Sequence, residues 1–384
     1  MNWRVPLADL DYGEEEERAV LDVLRTRWLT MGKITQEFES EFAEFVGAKH
    51  AIAVSNATVA LHLSCLALGI GSGDEVIVPS LTFVATANAA LYTGAQVRFA
   101  GIASPRDLTI SPEEIEKQIT PRTRAMIVMH YGGYPCRMDA IMSIASRHGL
   151  AVIEDAAHAP GASLNGKALG TWGDVGCFSF FSNKNLSIGE GGMLVTNRED
   201  VAEKVRLMRS HGMTTLTWDR HQGHAHSYDV VELGYNYRID EIRSALGLAQ
   251  LRKLADNNER RRKISRIYWN ELGGSGIEFP FQGTESHSAC HLFPILLPAD
   301  ANRKQFMDQM HSAGVQTSIH YPPIHQFSYY ARRYPGVNLP ITELVAQREV
   351  TLPLYPTMTD EDVQEVVAAV RKSLALFKSL QYRL

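Results

Sequence analysis

Cysteine is scarce in this chain. Four residues, Cys65, Cys136, Cys177 and Cys290, are scattered over 384 positions without a CxxC spacing. That argues against a disulfide framework and against a structural zinc site. A surplus of basic residues is also missing: 38 Lys and Arg against 43 Asp and Glu give a net charge of −5. With no electrostatic footprint for phosphate backbones, nucleic acid is not an expected partner. No apolar run reaches the length that spans a bilayer, so no membrane association is expected. The start, Met1-Asn-Trp-Arg-Val-Pro6, lacks the apolar core of a signal peptide, and the cytoplasm is the expected compartment. Internal repeats and low-complexity tracts are absent too. What remains, 45% hydrophobic and 21% charged residues, is the composition of a globular protein long enough for more than one domain.

The most informative stretch is Gly176–Asn197. Lys184 lies between two apolar runs of strand composition, Phe178–Phe181 and Met193–Val195, in a loop of Ser, Asn and Gly. Ser179, Ser182 and Asn183 lead into it; Gly189, Gly191 and Gly192 follow. Two readings are open, a solvated lysine on a hairpin or a lysine held in a crowded site as a Schiff-base nucleophile. Upstream, the short strand Ala51–Val54 runs through Ser55-Asn-Ala-Thr58 into a helix, which is either an ordinary N-cap or an anion site. Another strand ends in Glu154-Asp155 and is followed by His158. Two acids at a strand's C-terminal end suggest catalysis or a metal, and the missing His/Cys cluster disfavours the metal.

These segments, with Gly73–Phe83, Gly234-Tyr-Asn-Tyr-Arg238 and His320-Tyr-Pro-Pro323, resemble blocks of the DegT/DnrJ/EryC1/StrS family of sugar aminotransferases, in family order and over nearly the whole chain. The resemblance implies an α/β architecture of PLP fold type I. Residues 1–250 would form a large, mainly parallel-sheet domain with N-terminal helices, and 251–384 a smaller C-terminal α+β domain. It implies pyridoxal 5′-phosphate (PLP) as cofactor and no metal. Lys184 would be the Schiff-base lysine and Asp155 the partner of the pyridine nitrogen. Phe83 would lie flat on the ring, with His158 nearby. Ala57, Thr58 and Ser179 would hold the phosphate, and Asn236 would reach it from the neighbouring subunit of a homodimer. Thr30, Met31, Arg238, His320 and Tyr321 would border the substrate. The implied reaction moves an amino group from a donor, glutamate, to a keto-sugar, most simply a nucleotide-linked one. A keto-cyclitol is the alternative acceptor, and a non-catalytic regulatory protein the remoter one. Relatives that act as sugar dehydratases carry histidine in place of the lysine, which Lys184 argues against. Ala57 stands where the family usually has glycine, and Ala100–Pro105 departs from the family's acidic turn.

The pattern predicts helices over 14–27, capped by Asp11 with Glu14 and striped by Val20, Leu21 and Leu24, and over 34–46, with Phe38, Phe42 and Phe45 in the core. Strands at 75–79, 96–99, 125–130 and 151–154 alternate with helices, as in a parallel sheet covered on both faces. A polar loop at 212–230 with Trp218, His221, His224 and His226 reads as a mobile cover for a polar substrate, or as a weak metal motif. Beyond it come a long charged helix, strands at 291–297 and 315–319, and helices at 303–313, 342–350 and 359–379.

Overall fold

The computed structural model describes residues 3–215 and 227–381. Most of the loop expected to cover the substrate, with Trp218 and the three histidines, lies outside the described residues.

A seven-stranded sheet organises the chain. Its strands are β1 (His50–Val54), β2 (Glu75–Pro79), β3 (Gln96–Ala100), β6 (Thr123–Met129), β7 (Ala151–Asp155), β10 (Val175–Ser179) and β11 (Gly192–Thr196). Two small hairpins, β4–β5 (Ile102–Ser104 and Asp107–Ile110) and β8–β9 (Ser163–Leu164 and Lys167–Ala168), lie between them in sequence. The spatial order is β1-β11-β10-β7-β6-β2-β3. From β10 to β3 every pair is parallel, whereas β11 runs antiparallel to both its neighbours. The central strands are apolar on both faces (Ala125–Met129 is buried throughout) because helices cover both sides of a parallel sheet. Parallel strands place Pro79, Met129, Asp155 and Ser179 along one edge, where the ligands of such sheets bind.

The helix Glu14–Thr26 starts at the expected residue, but Asp11 and Glu14 do not form its capping box. Its N-cap is Gly13, whose N–H donates to Glu16 Oε2 at 2.8 Å. Val23 is the buried residue of its apolar stripe, and Leu21 and Leu24 are half exposed. In the helix Lys33–Val46, Phe38 and Phe42 are buried as expected, with Phe45 at the rim. An unexpected helix, Ala85–Tyr92, follows β2; it is short and has no side-chain cap, so it offers little sequence signal.

Asp240 caps a 32-residue helix, Glu241–Leu272, by accepting the Arg243 N–H at 2.9 Å. This helix passes residue 250 unbroken and carries the chain into a second core, built on the antiparallel pair β12 (Phe293–Leu296) and β13 (Glu349–Leu352). The helices Arg303–Ser312, Pro340–Arg348 and Asp360–Gln381 accompany that pair. The stretch 315–319, expected as a strand, makes only single bridges, Val315 to Val5 and Ser318 to Thr351. The N-terminal arm satisfies it, Gln316 N–H donating to the Val5 carbonyl at 3.0 Å. The helix expected to reach residue 350 stops at Arg348, because Glu349 and Val350 enter β13. Among the described residues no helix is long and apolar enough to cross a membrane.

Candidate active site

The lysine loop joins β10 to β11 and is closed by backbone bonds. Phe180 N–H donates to the Gly191 carbonyl and Ile188 N–H to the Phe180 carbonyl, both at 2.9 Å. The returning strand passes very close to the next element. A Cβ on Gly192 would come within 2.5 Å of the Asn56 carbonyl carbon and 2.7 Å of the Ala57 nitrogen. The glycine therefore lets the lysine's hairpin lie against the N-terminus of the helix Ala57–Ala67. There Asn56 Oδ1 accepts the Val59 N–H at 3.0 Å. Helix geometry leaves the Ala57 and Thr58 amides directed outward, at the positive end of the dipole. Ser179, the last residue of β10, is buried, and its Oγ accepts the Phe181 N–H at 3.3 Å.

Burial brings the Lys184 amine down to about 8, against the opposing pull of the Asp155 charge. A free, nucleophilic amine is thus accessible near neutral pH. Asp155, buried at the end of β7, accepts Thr86 Oγ1 at 2.7 Å and the Ala157 N–H at 3.2 Å. Burial raises its carboxyl, while those two donors and the charge of Lys184 favour its ionised form. The neighbouring Glu154 serves a different purpose. It points to the opposite face of the sheet and accepts the Gly170, Trp172 and Gly173 N–H groups and the His130 Nε2–H, at 2.6–2.9 Å. Among the described residues no group of three or more His, Cys, Asp and Glu is placed to hold a metal ion.

Phe83 is 57% exposed and lies beside Tyr321, ring centroids 6.2 Å apart. An aromatic face left this open after a buried strand is available for stacking. His158 is buried. Its Nδ1 accepts the Gly132 N–H at 3.2 Å and its Nε2 lies 3.1 Å from the Tyr321 hydroxyl. His320 comes from the C-terminal core. Its Nδ1 lies 2.9 Å from Thr351 Oγ1, which in turn lies 2.6 Å from Glu349 Oε1; its carbonyl accepts the Tyr131 hydroxyl. Burial and the charge of Lys184 push His320 down to about 4, so it is neutral at ordinary pH.

The remaining expected residues form a separate group. Thr30 bridges to Asp240 and Met31 is buried beside a cavity of about 210 Å³ lined also by Gly32, Thr35, Glu39 and Arg209. Asn236 is exposed and bridges to Ser210; Arg238 is half-buried near Arg209. Among the described residues none of these four shares a hydrogen bond with Lys184, Asp155 or His158. Sequence reasoning missed Thr86, Asn185, His291 and Glu349. Asn185 lies in the stretch already singled out and Thr86 three residues beyond Phe83, whereas His291 and Glu349 carry no local signal.

A half-buried amine of lowered pKa, a buried acid, helix-terminal amides and an open aromatic face fit an aldehyde-bearing, phosphorylated pyridine such as PLP. The comparisons agree. The chain matches the DegT/DnrJ/EryC1/StrS aminotransferase family over residues 10–371. It is 41% identical over 367 residues to the spore coat polysaccharide biosynthesis protein SpsC of Bacillus subtilis, covering 94% of each chain. It resembles DesV of S. venezuelae, solved in complex with a ketimine intermediate, at 34% identity and a TM-score of 0.88, covering 97% of this chain and 98% of that one. It also resembles the PLP form of the putative sugar aminotransferase Spr1654 of Streptococcus pneumoniae, at 25% identity and a TM-score of 0.89, covering 97% and 98%. The chain belongs to the DegT/DnrJ/EryC1/StrS family and is a PLP-dependent sugar aminotransferase of fold type I.

Proposed function

We propose that this enzyme takes its amino group from glutamate, releasing 2-oxoglutarate, and places it on a nucleotide-linked keto-sugar. The observation that carries the site assignment is Lys184, a half-buried residue whose amine desolvation brings to about 8 and which shares its surroundings with the buried carboxyl of Asp155. The nucleotide-linked acceptor is supported by the name of SpsC, since polysaccharides are assembled from activated sugars.

PLP, when bound, supplies the aldehyde that receives the amino group and a ring that takes up the electron pair left when the donor's Cα proton is removed. Lys184 would hold the cofactor, and its amine, when free, would move the donor's Cα proton. Asp155 keeps the ring nitrogen protonated. The Ala57 and Thr58 amides with Ser179 would hold the phosphate, Phe83 would offer its open face to the ring and His158 would lie nearby. Asn236 completes the phosphate site of the other protomer in a homodimer. Its exposure supports that role. Thr30, Met31 and Arg238, with His320 and Tyr321, border the sugar. The division into bodies of residues 1–250 and 251–384 belongs to the same proposal, as does a cytoplasmic location, where nucleotide-linked sugars are made.

The test incubates purified enzyme with glutamate, glutamine, alanine or aspartate and a panel of nucleotide-linked keto-sugars and free keto-cyclitols, read by mass spectrometry. Amination of a nucleotide-linked sugar with glutamate supports the proposal. Turnover confined to keto-cyclitols, or to another donor, replaces that part of it.

A further inference from the structure

Lys184 Nζ lies 3.4 Å from His291 Nε2. The protonation of that nitrogen follows from the bonds behind it. Asn258 Nδ2 donates to the Pro160 carbonyl at 2.9 Å, which turns Asn258 Oδ1 towards Asn185. Asn185 Nδ2 donates to Asn258 Oδ1 and to the Ala289 carbonyl, both at 2.8 Å. With both amide hydrogens used, the atom 2.9 Å from His291 Nδ1 is Asn185 Oδ1, which can only accept. His291 Nδ1 therefore carries the ring proton, and Nε2 offers a bare lone pair to Lys184. Burial and the nearby charge of Lys184 hold the ring neutral, well below the ordinary histidine value. His158, whose ring lies 4.4 Å from that of His291, offers no such acceptor: the Gly132 N–H takes its Nδ1, and its Nε2 faces Tyr321.

We propose that His291 is a positioning residue of the transamination: its Nε2 accepts a hydrogen bond from the Lys184 amine whenever that amine is free, fixing Nζ for proton transfer. The proposal rests on Lys184 being the reacting amine. A buried ammonium without an acceptor is costly, and a free lysine head can rotate. His291, oriented by Asn185 and Asn258, meets both problems with one atom.

The test compares His291→Gln, which keeps an acceptor, with His291→Met, which matches its length without a comparable one. In full-length protein freed of cofactor, the reactivity of Lys184 towards acetic anhydride is followed against pH by peptide mass spectrometry. The other groups facing the pair (Asp155, His158, His320, Tyr321 and Arg261) are the same in both variants. Wild type and His291→Gln are expected to show a midpoint near 8, the position burial gives the amine. His291→Met is expected about one unit lower, because the ammonium loses a charge-assisted bond. Asn185→Leu, which releases the tautomer, is expected to move the midpoint in the same direction. Equal midpoints for the Gln and Met variants, with both folded by circular dichroism, overturn the proposal. Borohydride mapping of the cofactor lysine in wild type checks the Lys184 assignment separately.

Discussion

Glu349 offers a test of how the C-terminal core meets the site. It is fully buried at the start of β13, where its carboxyl accepts the His320 N–H at 2.8 Å and the Thr351 hydroxyl at 2.6 Å. Burial outweighs these donors and pushes the carboxyl up to about 8. Between the ordinary carboxylate value and 8, the native protein thus holds one proton more than the unfolded chain. Unfolding releases that proton, so this group's contribution to stability is full at low pH and is lost as pH rises towards 8. The slope is about 1.4 kcal/mol per pH unit, which comes to roughly 3 kcal/mol between pH 5 and pH 7.5. Glu349→Gln mimics the neutral carboxyl and does not titrate. Urea unfolding of wild type and variant at the two pH values is expected to show the wild type losing stability that the variant keeps. The variant should gain on the wild type as pH rises. Equal losses in the two proteins would show that Glu349 is ionised throughout and that its neighbours outweigh its burial.

The other predictions concern the cofactor side. Lys184→Ala should abolish transamination, and borohydride reduction followed by peptide mapping should label Lys184 in wild type; label on another lysine refutes the assignment. Asp155→Asn keeps the shape and removes the charge, so cofactor should still bind while turnover falls about a hundredfold, the scale of a lost electrostatic stabiliser. Near-normal turnover would give the ring nitrogen another partner. Gly192→Ala forces a methyl against the Asn56 backbone and should cost about 1–3 kcal/mol of stability and weaken PLP binding, read by fluorescence titration. Unchanged stability and affinity would mean that the strand can withdraw from the helix end. Mixing inactive Lys184→Ala and Asn236→Ala proteins under subunit exchange should restore at most about half of normal activity per heterodimer, because one of its two sites receives neither damaged residue. Heterodimers without recovery would make Asn236 a structural residue of its own subunit.

What could be read from the sequence was what a short stretch of chain determines by itself. Asp155 ends an apolar strand, Lys184 sits among small polar residues between two such strands, and Asn56 caps a helix two residues beyond another. Each is a local event at the same sheet edge, and the parallel order of the sheet then brings them together. Where local pattern met competing partners, it failed. Leu21 and Leu24 have helical spacing, but spacing does not say which side of a helix the body covers. Val350 continues a helical pattern, but pairing with Ile295 takes it into a strand. Val315 has strand composition, yet its backbone neighbour is the N-terminal arm rather than a sheet.

The residues that orient the site were illegible for a related reason. His291 lies 107 positions from Lys184, and Asn258 lies 73 from Asn185; only packing puts them in hydrogen-bond range. The site is thus assembled from two sources. The groups proposed for the ring, phosphate and reacting amine come from strand ends of the large sheet, whereas His291, His320, Tyr321 and Glu349 come from the chain beyond Leu272. Neutral histidines arise there because the C-terminal core buries them against Lys184. Burial also lowers the lysine, so a shift of that core is expected to change the reactivity of the amine. Ile295→Ala, which loosens β12 from β13 at the Val350 pair, should therefore raise the Lys184 midpoint from about 8 towards that of an exposed lysine, read by its acylation against pH; an unmoved midpoint would show that the core does not set the burial of the amine.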